Sequence, residues 1–226
     1  MRIKNLQITE PNIIKAAWEL LDQIGIEDFS MRKLADLLHI QAPSLYWHFK
    51  SKQSLFQTLA NEVAKEALQS AKLEGEWEEQ LFHCASMIRS VMIKYPCSAQ
   101  LLMRTVPSEP DYLALINSLL QIVDHLPVSD SDKFSSIACL LNYVIAFELD
   151  KYEQRRVDTA MKKEAEGGAQ GMFMDSLARL SGGGPNVVQR MHHNGLFREL
   201  GSDNMFRTGL KIIIAGIAQL AQQQAR

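Results

Sequence analysis

Residues 30–52, SMRKLADLLHIQAPSLYWHFKSK, limit the fold more than any other stretch. They read as two short helices joined by a tight turn. Ser30 is a good N-cap, because its hydroxyl can accept a free backbone N–H of the first turn. Met31, Leu34, Ala35 and Leu38 recur at helical spacing and form one apolar stripe. His39 follows where a chain leaving a helix often turns left-handed, a place more usual for Gly or Asn. Gln41-Ala42-Pro43-Ser44 opens the second helix, with Pro43 in the first turn, where a missing N–H costs little. Leu45 and Phe49 lie four apart and can pack inward. That leaves Gln41, Ala42, Ser44, Tyr46, Trp47 and His48 outside or at the rim.

An outward Tyr46-Trp47-His48 run has two uses. The rings can cap a small three-helix core, or the helix can enter a DNA major groove as the second helix of a helix-turn-helix. Side chains there read base edges while nearby cations hold phosphates. The charges favour DNA. Arg32, Lys33, Lys50 and Lys52 face only Asp36, a local net of +3 in a chain whose formal total is -2.

Three pieces, Arg32-Lys33-Leu34-Ala35, Pro43-Ser44-Leu45-Tyr46-Trp47-His48 and Lys50-Ser51-Lys52, resemble the DNA-binding domain of the TetR (tetracycline repressor) family. Trp47-His48 looks more like the tetracycline-repressor branch than the wider family. The resemblance is strong over residues 9–65, moderate around 73–107 and limited to helix order after about 112. It implies an N-terminal DNA-binding domain, residues 1–52, and a helical ligand-binding and dimerisation domain, residues 53–226. It also implies a homodimer on a palindromic operator of double-stranded DNA, with Arg32, Lys33, Gln41, Ala42, Pro43, Ser44, Tyr46, Trp47, His48 and Lys52 at the DNA.

Composition narrows the alternatives. The 226 residues allow one large domain or two unequal ones, and 46% apolar content suffices for a sizeable core. A pI near 6.3 excludes a generally basic coat, so DNA binding must use a local surface. No 18-residue apolar run and no signal-peptide core occur, so no membrane role is expected. Cys84, Cys97 and Cys139 are far apart and form no CxxC pair, which fits a reducing cytoplasm.

Along the chain every periodic segment reads as helix, and no strand pattern occurs; the expected fold is all-α. A first helix spans 10–24, capped by Thr9 and ended by Gly25. Ser51 can cap a helix over 52–70. After a break at 73–77, helices are expected at 77–94, 97–104 and about 111–125, with Tyr95-Pro96 stopping the first of these. The most apolar helix spans 131–156 and is interrupted by Asn142, Tyr143 and Glu148. Gly-rich stretches at 167–171 and 181–184 suggest loose loops around a short segment. A helix from Pro185 or Asn186 to about Leu200, then one from Ser202 to about Gln222, complete the chain.

Gly209 and Gly216 sit seven apart near one face of the last helix. Glycine inside a helix costs roughly 1 kcal/mol against alanine, so close approach of another helix is expected. That helix could belong to the same chain or to a second copy, and the resemblance favours a four-helix bundle between subunits. Eight of the ten methionines follow residue 86 and suit either core filling or an apolar pocket. His192-His193 point about 100° apart on a helix and seldom share a metal. The chain has no HExxH, GxSxG, P-loop or dinucleotide fingerprint, so no enzyme, metal or cofactor is expected.

The resemblance also locates a ligand region. Aligned without gaps from Trp77 to Pro107, Thr105-Val106-Pro107 fall on a Thr-Arg-Pro turn that lines the tetracycline pocket. Cys84 falls on a drug-contacting asparagine, Ile88 on a phenylalanine, and Leu102 on a histidine that holds drug-bound magnesium. Lys151 falls near a second metal contact, a glutamate. Leucine has no lone pair for Mg²⁺, which needs hard ligands. The implied pocket is apolar, with Thr105, Asn142 and Tyr143 as polar groups. The expected function is a ligand-responsive repressor released by a small, largely apolar molecule. A regulator of the same fold answering to a protein partner is the alternative. An all-α enzyme with a chance helix-turn-helix would lack any acid–base or nucleophile constellation.

Overall fold

The structure is a computed structural model and describes residues 9–70, 74–164, 172–173, 176, 179 and 186–224. Every regular element among them is helical. The motif folds as its caps dictate. α1 spans Glu10–Ile24, and Gly25 leaves it at φ 73°, donating its N–H to Leu21 O. Thr9 stands at the N-cap, but its side chain makes no capping bond. α2 spans Met31–Leu37, and Ser30 Oγ accepts the Lys33 N–H at 3.2 Å. His39 takes the left-handed turn at φ 55°. α3 spans Ala42–His48 with Gln41 as its N-cap.

α4 runs from Lys52 to Ser70. Ser51 and Ser54 cap it reciprocally: Ser51 Oγ accepts the Ser54 N–H at 3.0 Å, and Ser54 Oγ accepts the Ser51 N–H at 3.1 Å. Next come α5 (Trp77–Lys94), α6 (Ser98–Arg104), α7 (Pro110–Val123) and α8 (Asp130–Glu164). α9 (Val187–His193), a 3₁₀ turn at Leu196–Glu199 and α10 (Asp203–Gln224) close the chain. The single helix expected up to Leu200 is therefore broken. Asn194-Gly195 stops it, Gly195 turning left-handed at φ 75°, where a glycine carries no Cβ penalty. The Gly-rich stretches 167–171 and 181–184 lie outside the described residues.

Two apolar cores form. The N-terminal one joins Ile13, Leu21, Leu34, Leu45 and Phe49 to Leu55, Phe56 and Leu59 of α4. The C-terminal one takes Ala60, Val63, Ala64 and Ala67 from the same helix and packs them with α5, α7, α8 and α10. The cores thus divide within α4, between Leu59 and Ala60. α6 spans the division too: Leu101 is buried in the N-terminal core and the next residue, Leu102, in the C-terminal one.

Gly209 does not await a second copy. A Cβ there would meet Tyr143 Oη at 2.1 Å, so the glycine makes room for α8 of its own chain. A Cβ at Gly216 would meet nothing within 4 Å.

Candidate functional site

The helix-turn-helix presents an outward face. Leu45 is buried against α1 and α2 while Tyr46 and Trp47 project, Trp47 at 88% exposure. Arg32, Gln41 and Pro43 are exposed beside them, and Ala42, Ser44 and His48 are half-buried at the rim. The structure brings these eight residues together around α3 and the start of α2.

The two remaining expected DNA contacts are tied to main chain. Lys33 Nζ donates to Asp28 O at 2.9 Å. Lys52 Nζ donates to Phe29 O at 2.7 Å and lies over the Phe29 and Phe56 rings. Burial pushes the Lys52 ammonium below the usual lysine range. Both lysines hold the connection between α1 and α2, a role their charge alone did not suggest.

α4 leads from this face into the C-terminal domain, and its polar edge grips the turn after α6. Gln53 Nε2 donates to Arg104 O at 2.9 Å. Gln57 accepts the Val106 N–H at 2.9 Å and donates to Val106 O at 2.7 Å. Asn61 Oδ1 accepts the Asp111 and Tyr112 N–H groups at 3.0 and 3.1 Å. Arg104 also pairs with Glu27, between α1 and α2. Residues 104–112 are thereby fastened to both domains.

Of the expected ligand residues, Cys84, Ile88 and Leu102 lie together in the packed C-terminal core. Burial pushes the Cys84 thiol up. Thr105 is buried, its hydroxyl donating to Leu101 O at 2.8 Å. Val106 and Pro107 are exposed on the turn that α4 grips. Asn142 is exposed on another face of α8. Tyr143 turns to α10, donating to Phe206 O at 3.1 Å and stacking on the Phe206 ring. The structure does not bring Asn142 to the others, and Tyr143 joins the same core only from its α10 side. The methionines disperse as well: Met92 is in the core, whereas Met103, Met172, Met191 and Met205 are exposed.

The chain matches the model of the bacterial regulatory proteins, tetR family, over residues 13–59. It matches the tetracyclin repressor-like C-terminal domain over residues 70–221. The chain belongs to the TetR family of bacterial regulatory proteins. It is a helix-turn-helix, DNA-binding transcriptional repressor of that family, whose members are regulators rather than enzymes. It is 25% identical to the class A tetracycline repressor from transposon 1721 of Escherichia coli over 213 residues, 93% of this chain and 91% of that one. Two solved structures share its fold. ActR of Streptomyces coelicolor in complex with actinorhodin has a TM-score of 0.72 at 24% identity, covering 95% of this chain and 99% of that one. BioQ with its natural double-stranded DNA operator has a TM-score of 0.66 at 22% identity, covering 94% and 99%.

Within the TetR-type C-terminal domain, one polar cluster escaped the sequence. Arg89 of α5 is buried with its guanidinium over the Phe147 and Phe206 rings. It donates from Nε to Glu148 at 2.6 Å and lies 2.8 Å from Asp203 through Nη1. The cluster ties α5, α8 and α10 at one point. Glu148 was legible as an interruption of an apolar helix, but its partner lies 59 residues away.

Proposed function

We propose that this protein represses transcription as a cytoplasmic homodimer on a palindromic operator and is released by a small, largely apolar molecule. The observation that carries this reading is the solvent-facing Tyr46-Trp47 pair on α3, flanked by Arg32, Gln41, Ala42, Pro43, Ser44 and His48. All but Arg32 on α2 and Gln41 at the N-cap sit on α3, a short helix of the size a major groove admits. Arg32 suits a guanine edge, whereas Ala42 can only touch a thymine methyl or leave a gap. Lys33 and Lys52 fix the motif and place positive charge near phosphates.

Dimer formation is supported by the outer face of α8 and α10. Phe134 on α8 and Ile212 and Leu220 on α10 are exposed, Ile212 at 67%, next to the open surface at Gly216. Exposed apolar side chains on two adjacent helices suit a bundle with a second copy. Release is supported by the grip of α4 on residues 104–112. A ligand that rearranges Leu102, Thr105, Val106 and Pro107 pulls on Gln53, Gln57 and Asn61, hence on the helix that starts at the DNA face. It acts only through different affinity for the two arrangements.

The apolar Cys84, Ile88 and Leu102 support a largely apolar ligand, and Leu102 offers magnesium nothing. Magnesium–tetracycline is not expected to induce, and EDTA should leave induction unchanged. Tight tetracycline binding by calorimetry that requires magnesium would count against this ligand class. A mobility-shift titration on the protein's own promoter tests the reading itself. Sequence-specific retardation that Trp47→Ala abolishes is expected, and retardation equal to that of random DNA would overturn it.

A further inference from the structure

We propose a second effector site, at the junction of α1, α6 and α8, for a small organic molecule bearing an anionic group, carboxylate or phosphate. The inference rests on the repressor reading above, and the site is separate from the Cys84–Ile88–Leu102 region. A cavity of about 480 Å³ opens there, within the ordinary range of ligand sites.

Its decisive feature is Gln100 on α6, which lines the cavity at 4% exposure. Its Nε2 is the one buried side-chain nitrogen or oxygen among the described residues with no hydrogen-bond partner. Buried donors are nearly always paired, so an unpaired one on a residue that lines a cavity calls for an acceptor that comes from outside.

The α8 wall is basic. Lys151, Arg155 and Arg156 of α8 all line the cavity. Lys151 is 3.8 Å from Glu148, and Arg156 is 3.3 Å from Glu153. Glu148 is already held by Arg89 at 2.6 Å. Arg155 pairs with no carboxylate among the described residues, and a free guanidinium suits bidentate binding of a carboxylate or phosphate. Asp22 on α1 is the acid not otherwise engaged by an ion pair there, so the wall keeps a positive excess. An acceptor on the ligand would meet Gln100 while its anionic end meets Arg155.

The place gives the site a purpose. Leu21 and Ile24 of α1 line it from the DNA-binding core, and α8 lines it from the regulatory domain. An occupant touches both domains and favours one orientation of α1 against α8, so operator affinity must respond to it.

The test uses the full-length protein and a panel of citrate, succinate, benzoate and inorganic phosphate, with neutral esters of the carboxylic acids as controls. At least one anion should raise Tm and change operator affinity by about fivefold or more, the low end of ordinary coupling. The esters should not. Carboxylate against phosphate hits distinguish the two anion sources. Gln100→Leu should raise the ligand-free Tm, because it removes the unpaired donor, and should abolish the ligand-induced shift. Arg155→Ala, at an exposed position, should abolish the shift as well and carries the test if Gln100→Leu fails to fold. A panel without any shift, or shifts unchanged in both variants, overturns the site. A lowered ligand-free Tm in a folded Gln100→Leu protein also overturns it, because Gln100 would then have a structural partner. Wild-type protein that binds no operator sinks the repressor reading instead; operator binding that ignores every anion sinks only this site.

Discussion

Arg32 and Tyr95 occupy two kinds of place, one exposed on the helix-turn-helix and one half-buried in the frame. Arg32 is exposed at the second position of α2 beside α3. A bidentate arginine–guanine contact discriminates by roughly 1–3 kcal/mol, so Arg32→Ala should lose that much at one base pair per half-site, read from affinities for operators substituted base by base. A uniform loss across all positions would reassign Arg32 to phosphate. Tyr95, after α5, is half-buried against Trp18 and donates to Glu66 at 2.6 Å. Burial, then the bond to Glu66, pushes its phenol up to about 12 from an ordinary 10.0. Below pH 10 the phenol is protonated both folded and unfolded, so its contribution is fully present there. It is lost as pH rises from 10 through about 12, because the unfolded chain ionises first. Urea unfolding at pH 9 and pH 11 should show a drop in stability in the wild type that is smaller in Tyr95→Phe. Equal drops would mean that another group titrates.

At the scale of elements, the two glycines of α10 should separate cleanly. Gly209→Ala drives a Cβ into Tyr143, whose ring is stacked on Phe206, so stability should fall as for an overpacked core, by about 1–3 kcal/mol in thermal unfolding. Gly216→Leu meets open space within one chain. It should leave the monomer fold intact and weaken dimerisation, seen by sedimentation, together with operator affinity. A stable monomer in the unmutated protein would remove this role for α10. The sequence could place α10 and its glycines but not assign them. Which residue faces Gly209 depends on how α8 lies against α10, and no local pattern encodes that. Where signals were local, they sufficed: Ser30, Gly25 and Ser51 mark ends that the structure reproduces. Asn194-Gly195 carried an equally local stop that was outweighed by the surrounding helical periodicity. The clamp of Gln53, Gln57 and Asn61 lies at i, i+4, i+8 along α4, but its partners are some 50 residues on, beyond the reach of any local pattern.

At the scale of the whole molecule, two cores share α4 and α6, so neither domain can rearrange without the other feeling it. The DNA face was the most legible part, because it is built from consecutive residues; the regulatory core was the least, because Arg89, Glu148 and Asp203 meet only through tertiary packing. The central claim is that α3 of a dimer reads an operator. Footprinting of the protein on its own promoter tests it most directly. Two protected half-sites related by a dyad and centred about one helical turn, or a multiple, apart are the expected result, with both lost together in Trp47→Ala. Protection of a single unpaired site, or none distinguishable from random DNA, would contradict it.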